Sequence, residues 1–349
     1  MRGGELCSSG LRVAIVLGAG LAALLHHRAV QADGPATTIP PKSGSPLGKP
    51  GREFDIPGII DSLAALTIQA DGKGGATAVA KGPFEIEVNA DVPYYEGPDA
   101  DGIRHKLDLY IPKGGKEVPV LLFFHGGSWT RGDKFYSGII RNLGLFCASH
   151  GILAVIPNYR LSPAVMHPEH IRDVARAFAW AHKNATKYGG RPDRMFLSGH
   201  SAGGHLASLL ATDENYLKSE GLCLRDIKGV IPLSGVFQIP NEAHIFENVF
   251  PPDSRVRHEA SPLWQVCHRA VSATTTAFPP FLIMFADQDF AMCHKSPAEE
   301  FCKALQERKV SAKTLEVRSR NHLTLLLNAP RKDDPAGRAM LEFITALTK

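Results

Sequence analysis

The sequence predicts an α/β fold, a mostly parallel sheet covered by helices on both faces. Three observations carry this. From about residue 84, short strand-like runs alternate with amphipathic helical stretches. Several of the runs are apolar without interruption, as strands buried on both faces are. And Gly199-His200-Ser201-Ala202-Gly203 stands where one such run gives way to a helical stretch. In sheets of this kind the reactive site lies at the carboxyl ends of the strands.

Taken in order, the chain opens with Arg2 and Arg12 ahead of an apolar stretch over 13–25. Thirteen apolar residues suit the core of a secretory signal and are short for a membrane span. Val30 and Ala32 fit the small-residue cleavage rule, so residues 1–32 are expected to be a signal peptide cut after Ala32, with an uncleaved anchor as the alternative. Residues 33–83 form a linker and N-terminal extension. Pro35, Pro40, Pro41, Pro46 and Pro50 make its first part a flexible linker, to about residue 53. One short helix is expected over 56–69, then a Gly-rich turn at 72–75. The catalytic domain is expected over 84–349.

Within it, 84–90 and 105–111 alternate apolar and polar as half-buried strands do. Residues 118–124 are an apolar run ending in His-Gly-Gly, and further buried strands are expected at 152–156, 194–198, 228–233, 280–285 and 313–317. Helices are expected at 135–149, 168–188, 202–212, 297–308 and 336–347. The second of these places Ile171, Val174, Ala175, Phe178 and Ala181 on one face, with Pro168 at its start and Gly189-Gly190 at its end.

Composition removes whole classes of function. The 349 residues are 44% hydrophobic and 21% charged, enough to bury a core, so general disorder is excluded. No apolar run reaches the length of a spanning helix, and no stable membrane insertion is expected once the signal is removed. Against 35 acidic residues stand 39 Lys and Arg, with no basic block, so nucleic acid is not an expected partner. Loss of Cys7 with the signal leaves Cys147, Cys223, Cys267, Cys293 and Cys302. In an oxidising compartment these either form one or two disulfides, Cys223–Cys267 and Cys293–Cys302 being candidate pairs, or remain buried thiols. Cys147, in an apolar helical stretch, is the expected free thiol.

The chemistry concentrates at the carboxyl ends of the strands. A sharp strand-to-helix turn presents a serine hydroxyl, and the residues two before and two after it must be tiny to avoid collision across the turn. Ser201 between Gly199 and Gly203 meets that need and is the candidate nucleophile. His125-Gly126-Gly127-Ser128-Trp129 follows the strand at 118–124. Its glycines let backbone approach a substrate, so the Gly127 and Ser128 amides, joined by Ala202, are candidate oxyanion donors, with Gly126 as an alternative to Ser128. His125 is read as a loop anchor, and Trp129 either lines the substrate pocket or covers the next helix. A serine nucleophile needs a base and an orienting acid, here in the order Ser, acid, His. Asp287 and Asp289 follow one late strand and His322 the next, so Asp289 is the candidate acid, Asp287 the alternative and His322 the base. The other histidines, among them His167, His170, His200 and His205, are read as surface or structural, and no His or Cys set has zinc spacing.

Together these residues resemble the α/β-hydrolase superfamily, in its esterase/lipase branch with an H-G-G-x-W oxyanion loop. That group includes BD-FAE-type feruloyl and acetyl esterases, hormone-sensitive-lipase-like carboxylesterases, kynurenine formamidases and prenylcysteine methylesterases. The resembling segments include Leu107 to Pro112, Gly132-Asp133-Lys134, Asn158-Tyr159-Arg160-Leu161, Gly190 to Arg194 and Glu259-Ala260-Ser261-Pro262, within residues 90–347. Ala286 stands where the family usually has glycine three residues before the acid, and Ser128 where it often has a third glycine. The resemblance implies an eight-stranded, mostly parallel sheet flanked by helices, and a cap that here is small, about 236–278. It implies a cofactor-free serine esterase acting on small or aromatic carboxylic esters through an acyl-enzyme, and the signal peptide makes the expected location secreted or periplasmic. The alternatives are an arylformamidase-type amidase and a non-catalytic hydrolase-fold binding protein.

Overall fold

The structure is a computed structural model that describes residues 82–349 apart from 136–137, 243, 245 and 270–276, together with residues 68–70 and 76–78. The expected signal, its cleavage site and the linker lie outside the described residues, as does the expected helix at 56–69 except for its end. There the chain is extended: β1 (Ile68–Ala70) pairs antiparallel with β2 (Ala76–Ala78) across the Gly-rich stretch. The chain divides into two units, Met1–Leu63 and Ala64–Lys349, and every described residue belongs to the second.

That unit is built on eight further strands, β3 (Ile86–Pro93), β4 (Lys106–Pro112), β5 (Val118–Phe124), β6 (Leu153–Pro157), β7 (Gly190–His200), β8 (Gly229–Leu233), β9 (Phe281–Gln288) and β10 (Ala312–Asn321). They lie in the order β10-β9-β8-β7-β5-β6-β4-β3. From β6 to β10 every pairing is parallel, while β3 and β4 form an antiparallel pair at one edge. This is the expected eight-stranded, mostly parallel sheet. The shift of the first strand from 84–90 to Ile86–Pro93 follows a register change between Asn89 and Val92, where Asp91 turns to φ 57° and its N–H donates to Asp108 Oδ1 at 2.9 Å.

Nine helices are described: α1 (Ile139–Ser149), α2 (Glu169–Asn184), α3 (Ala202–Leu210), α4 (Glu214–Lys218), α5 (Ser254–Glu259), α6 (Pro262–His268), α7 (Lys295–Glu307), α8 (His322–Asn328) and α9 (Pro335–Thr348). Strand periodicity divides the core between the two faces of the sheet. Val120, Leu122 and Phe124 of β5 point to the face covered by α2, α3 and α7, where Phe178, Leu206 and Phe301 meet them. Leu121 and Phe123 point to the other, covered by α1, α8 and α9 through Leu143, Leu325 and Met340. α1 begins four residues later than expected, because the Asp133 carboxylate turns the chain by accepting from Phe135 N–H and Gly138 enters the helix at φ 79°. Among its described residues the small cap between β8 and β9 carries the two short helices α5 and α6.

Cys147, Cys293 and Cys302 are buried thiols and Cys223 is a half-buried one, so neither candidate disulfide forms. Cys302 sits on the core-facing side of α7, where its sulfur accepts from Gln306 Nε2 at 3.5 Å. No described helix is long and apolar enough to cross a membrane.

Candidate active site

Strand β7 ends at His200, and Ser201 breaks out of it with φ 57° and ψ −120° before α3 begins at Ala202. Such a positive φ is strained for a residue with a side chain, and the neighbours hold it there. Ser201 N–H donates to Leu233 O of β8 at 2.9 Å, and Ser201 O accepts from His205 N–H at 3.0 Å. The flanking glycines are a steric requirement. A Cβ on Gly199 would stand 2.4 Å from the Gly203 carbonyl, and one on Gly203 would stand 2.0 Å from Phe124 O. The Ser201 side chain is half-buried, and its hydroxyl is engaged in no hydrogen bond among the described residues.

The late strands bring the candidate acid and base together, next to the residue that precedes the serine. His322 Nδ1–H donates to Asp289 Oδ1 at 2.6 Å. That bond places the proton on Nδ1 and leaves Nε2 as a lone-pair acceptor, the form a general base needs. Asp289 accepts three more bonds: Ser234 Oγ–H at 2.5 Å and Ala286 N–H at 3.2 Å on Oδ2, and Phe290 N–H at 2.9 Å on Oδ1. Burial pushes the Asp289 carboxyl up, but the bond and charge of His322, the Ser234 hydroxyl and the Ala286 amide outweigh it and hold the carboxyl below its usual range. Asp287, the alternative acid, is bonded elsewhere. Its carboxylate accepts the Ser319 and Arg320 amides, each at 2.9 Å, and so ties down the segment that leads to the histidine.

Two positioning residues escaped the sequence reading. Ser234 follows β8 with φ 47° and holds Asp289 from the side opposite His322. Its signal was its place, one residue past a strand that adjoins β7. His200 was read as merely structural. Its Nε2–H donates to the His322 carbonyl at 2.7 Å and the two rings lie 4.5 Å apart, so the residue before the serine also locates the histidine. Burial first, and then the nearby His322, push the His200 imidazole down to about 3, which keeps it neutral.

The loop after β5 is wound tightly, with Gly127, Ser128 and Trp129 at φ 119°, 53° and 59°. Gly127 O accepts from both Thr130 and Arg131 N–H at 3.1 Å. Among the turn and loop bonds of the described residues, the amides of Gly126, Gly127, Ser128 and Ala202 donate to no backbone acceptor. Gly126 packs on the elbow itself, since a Cβ there would stand 3.2 Å from Ser201 Cβ. His125 anchors the loop as expected: fully buried, it stacks on Tyr159 at 4.3 Å and donates Nδ1–H to Gly126 O at 2.9 Å.

Trp129 is a correction. As a pocket-lining residue it would meet substrate, yet only 1% of it is exposed. Its indole N–H donates to His205 Nδ1 at 3.3 Å, and its ring meets Phe246 and Phe250 edge to face. An indole needs both an apolar bed and an acceptor for its N–H, and here the interior supplies both. The donor pairs met in space also differ from those at sequence spacing. Asp289, Cys293 and His322 bring single ligand atoms within 4.8 Å of one another, although the carboxylate and imidazole already share a proton.

Comparison with known proteins follows the same lines. Residues 107–248 match the BD-FAE family model. The chain is 30% identical over 231 residues to "Esterase LipQ" of Mycobacterium tuberculosis (strain ATCC 25618 / H37Rv), covering 62% of this chain and 52% of that one. It is 26% identical over 263 residues to "Isoprenylcysteine alpha-carbonyl methylesterase ICME" of Arabidopsis thaliana, covering 71% and 59%. The chain therefore spans a little over half the length of these relatives. Among solved structures, an inhibited Esterase B from Lactobacillus rhamnosis superposes with a TM-score of 0.62 at 21% identity, over 77% of this chain and 89% of that one, which speaks to the fold.

Proposed function

We propose that the chain is an α/β-hydrolase of the esterase/lipase branch, a serine carboxylesterase acting on small or aromatic esters through an acyl-enzyme. The observation that carries the reading is the Asp289–His322 bond of 2.6 Å delivered beside a strained serine elbow.

In the proposed cycle Ser201 Oγ attacks the ester carbonyl as His322 Nε2 takes its proton. The Oγ–C bond forms and the carbonyl electron pair moves to oxygen, where the Gly127, Ser128 and Ala202 amides receive it; each such donor typically contributes about 3–4 kcal/mol to the transition state. Asp289 keeps the imidazole in its Nδ1–H tautomer and stabilises the imidazolium. The tetrahedral species collapses, the C–O bond to the alcohol breaks, and His322 returns the proton to the leaving oxygen. Water, deprotonated by the same histidine, then releases the acid and restores Ser201. Ser201→Ala is expected to abolish turnover of p-nitrophenyl acetate while leaving the fold intact by circular dichroism; retained turnover would place the nucleophile elsewhere.

For its location, the basic start, the apolar stretch over 13–25 and Ala32 support export as a secreted or periplasmic protein. N-terminal sequencing of the exported form is expected to begin at Asp33.

A further inference from the structure

Five large apolar side chains stand exposed among the described residues, Ile103, Phe135, Met166, Phe290 and Leu323. Two of the five flank the acid and the base: Phe290 follows Asp289 and is 55% exposed, and Leu323 follows His322 and is 40% exposed. Neither is loosely held. Phe290 N–H is bonded to Asp289 Oδ1, the same oxygen that holds His322, and its ring lies 4.6 Å from the imidazole at an interplanar angle of 46°. Leu323 N–H donates to Asn321 Oδ1 at 3.1 Å, in the cap that opens α8. Large apolar groups left in water beside a reactive group mark a surface that a ligand covers.

The side on which they stand decides which part of the ligand. His322 turns Nδ1 to Asp289, so Nε2 faces the reacting atoms and delivers its proton to the departing alcohol. An aromatic ring packed against that imidazole borders the path of the alcohol. The acyl group, bound to Ser201, remains with the elbow and the oxyanion loop. We propose that Phe290 and Leu323 form the subsite for the alcohol moiety, and that this moiety is apolar and of aromatic or extended alkyl character. The proposal rests on the esterase reading above and adds the substrate class at one side of the scissile bond.

Three esters separate the sides: methyl acetate, benzyl acetate with the ring on the alcohol, and methyl phenylacetate with the ring on the acyl group. The wild-type enzyme is expected to prefer benzyl acetate to methyl acetate in kcat/KM. Phe290→Ala is expected to lower that ratio about tenfold, mainly through KM, the scale of lost apolar contact at one end of a substrate. Leu323→Ser is expected to lower it in the same direction by less and provides a second readout should the first variant fold poorly, while Phe290→Trp is expected to keep the preference. A fall confined to methyl phenylacetate would put the ring on the acyl side. An equal loss on all three esters would mean that Phe290 merely steadies His322. Either result overturns the subsite while leaving the esterase reading in place. A wild-type enzyme inert toward all three esters would instead overturn the esterase reading itself.

Discussion

Asp289 and Asp287 lie two residues apart at the end of one strand and hold different partners. Asp289 bonds the imidazole, whereas the Asp287 carboxylate accepts from backbone amides of the segment that carries it. Asp289→Asn is expected to cost about 10⁴-fold in kcat, the scale seen when an orienting carboxylate is lost and the wrong tautomer results. Asp287→Asn retains an acceptor oxygen and is expected to cost far less, with steady-state kinetics on p-nitrophenyl acetate measuring both. Ser234→Ala removes one of four bonds to Asp289, so kcat should fall about tenfold with KM nearly constant. At this scale the tight turn at Ser201 and the pairing of Asp289 with His322 were legible, because elbow glycines and chain order are local properties. Ser234, the role of His200 and the burial of Trp129 were not legible. Each depends on a partner from another strand or from the cap, and spacing carries no record of that.

Between elements, hydrogen bonds tie the loop after β5 to its neighbours. Lys134 Nζ bonds Asp108 Oδ1 at 2.6 Å, Asn158 Oδ1 accepts Lys134 N–H at 2.5 Å, and Tyr159 OH donates to His125 O at 2.9 Å. The three motifs that contain these residues thus brace one another and the loop after β5. The cap is tied down in a similar way: Ala260 O accepts His205 Nε2–H at 2.8 Å, and Ser261 Oγ accepts Ile239 N–H at 2.9 Å. Arg257, fully buried, donates to the carbonyls of Pro240, Phe250 and Pro251. Arg257→Ala should therefore destabilise by several kcal/mol, about 1.5–3 for each charged hydrogen bond less what water recovers, and a lowered urea midpoint would register it. Gly203→Ala would drive a methyl group into Phe124 O, and loss of activity together with a marked fall in Tm is expected. The strands and long helices could be read because each buries a periodic face. α5, α6 and α8 could not: elements of six or seven residues complete too few turns to show a period, and the Asp253 cap, Pro262 at the first position and the Asn321 cap decide them instead.

Across the whole molecule, the sheet seals one apolar layer on each face and buries several histidines among them. Burial holds His125, His170 and His205 at about 4 and His167 and His200 at about 3. In the unfolded chain these groups take up protons near pH 6.5, while in the folded one they remain neutral until well below that. The unfolded state thus binds more protons between about pH 6.5 and pH 3–4, and stability must fall as pH falls through that window. Each histidine contributes at most about 1.4 kcal/mol per pH unit. Urea unfolding is expected to show a steep loss of stability from pH 6.5 to pH 4.5, and a flat profile would show these histidines to be solvated. The parallel order from β6 to β10 was legible from apolar strands between helices, whereas the antiparallel edge pair was not, since pairing direction leaves no mark on alternation.

The account depends most on one activated hydroxyl. Treatment of the folded protein with a fluorophosphonate, followed by mass spectrometry of its peptides, tests this directly. The result expected is a single adduct on Ser201, formed in the wild-type enzyme and lost in His322→Ala. Ester turnover with the adduct on another residue, or with none, would contradict it.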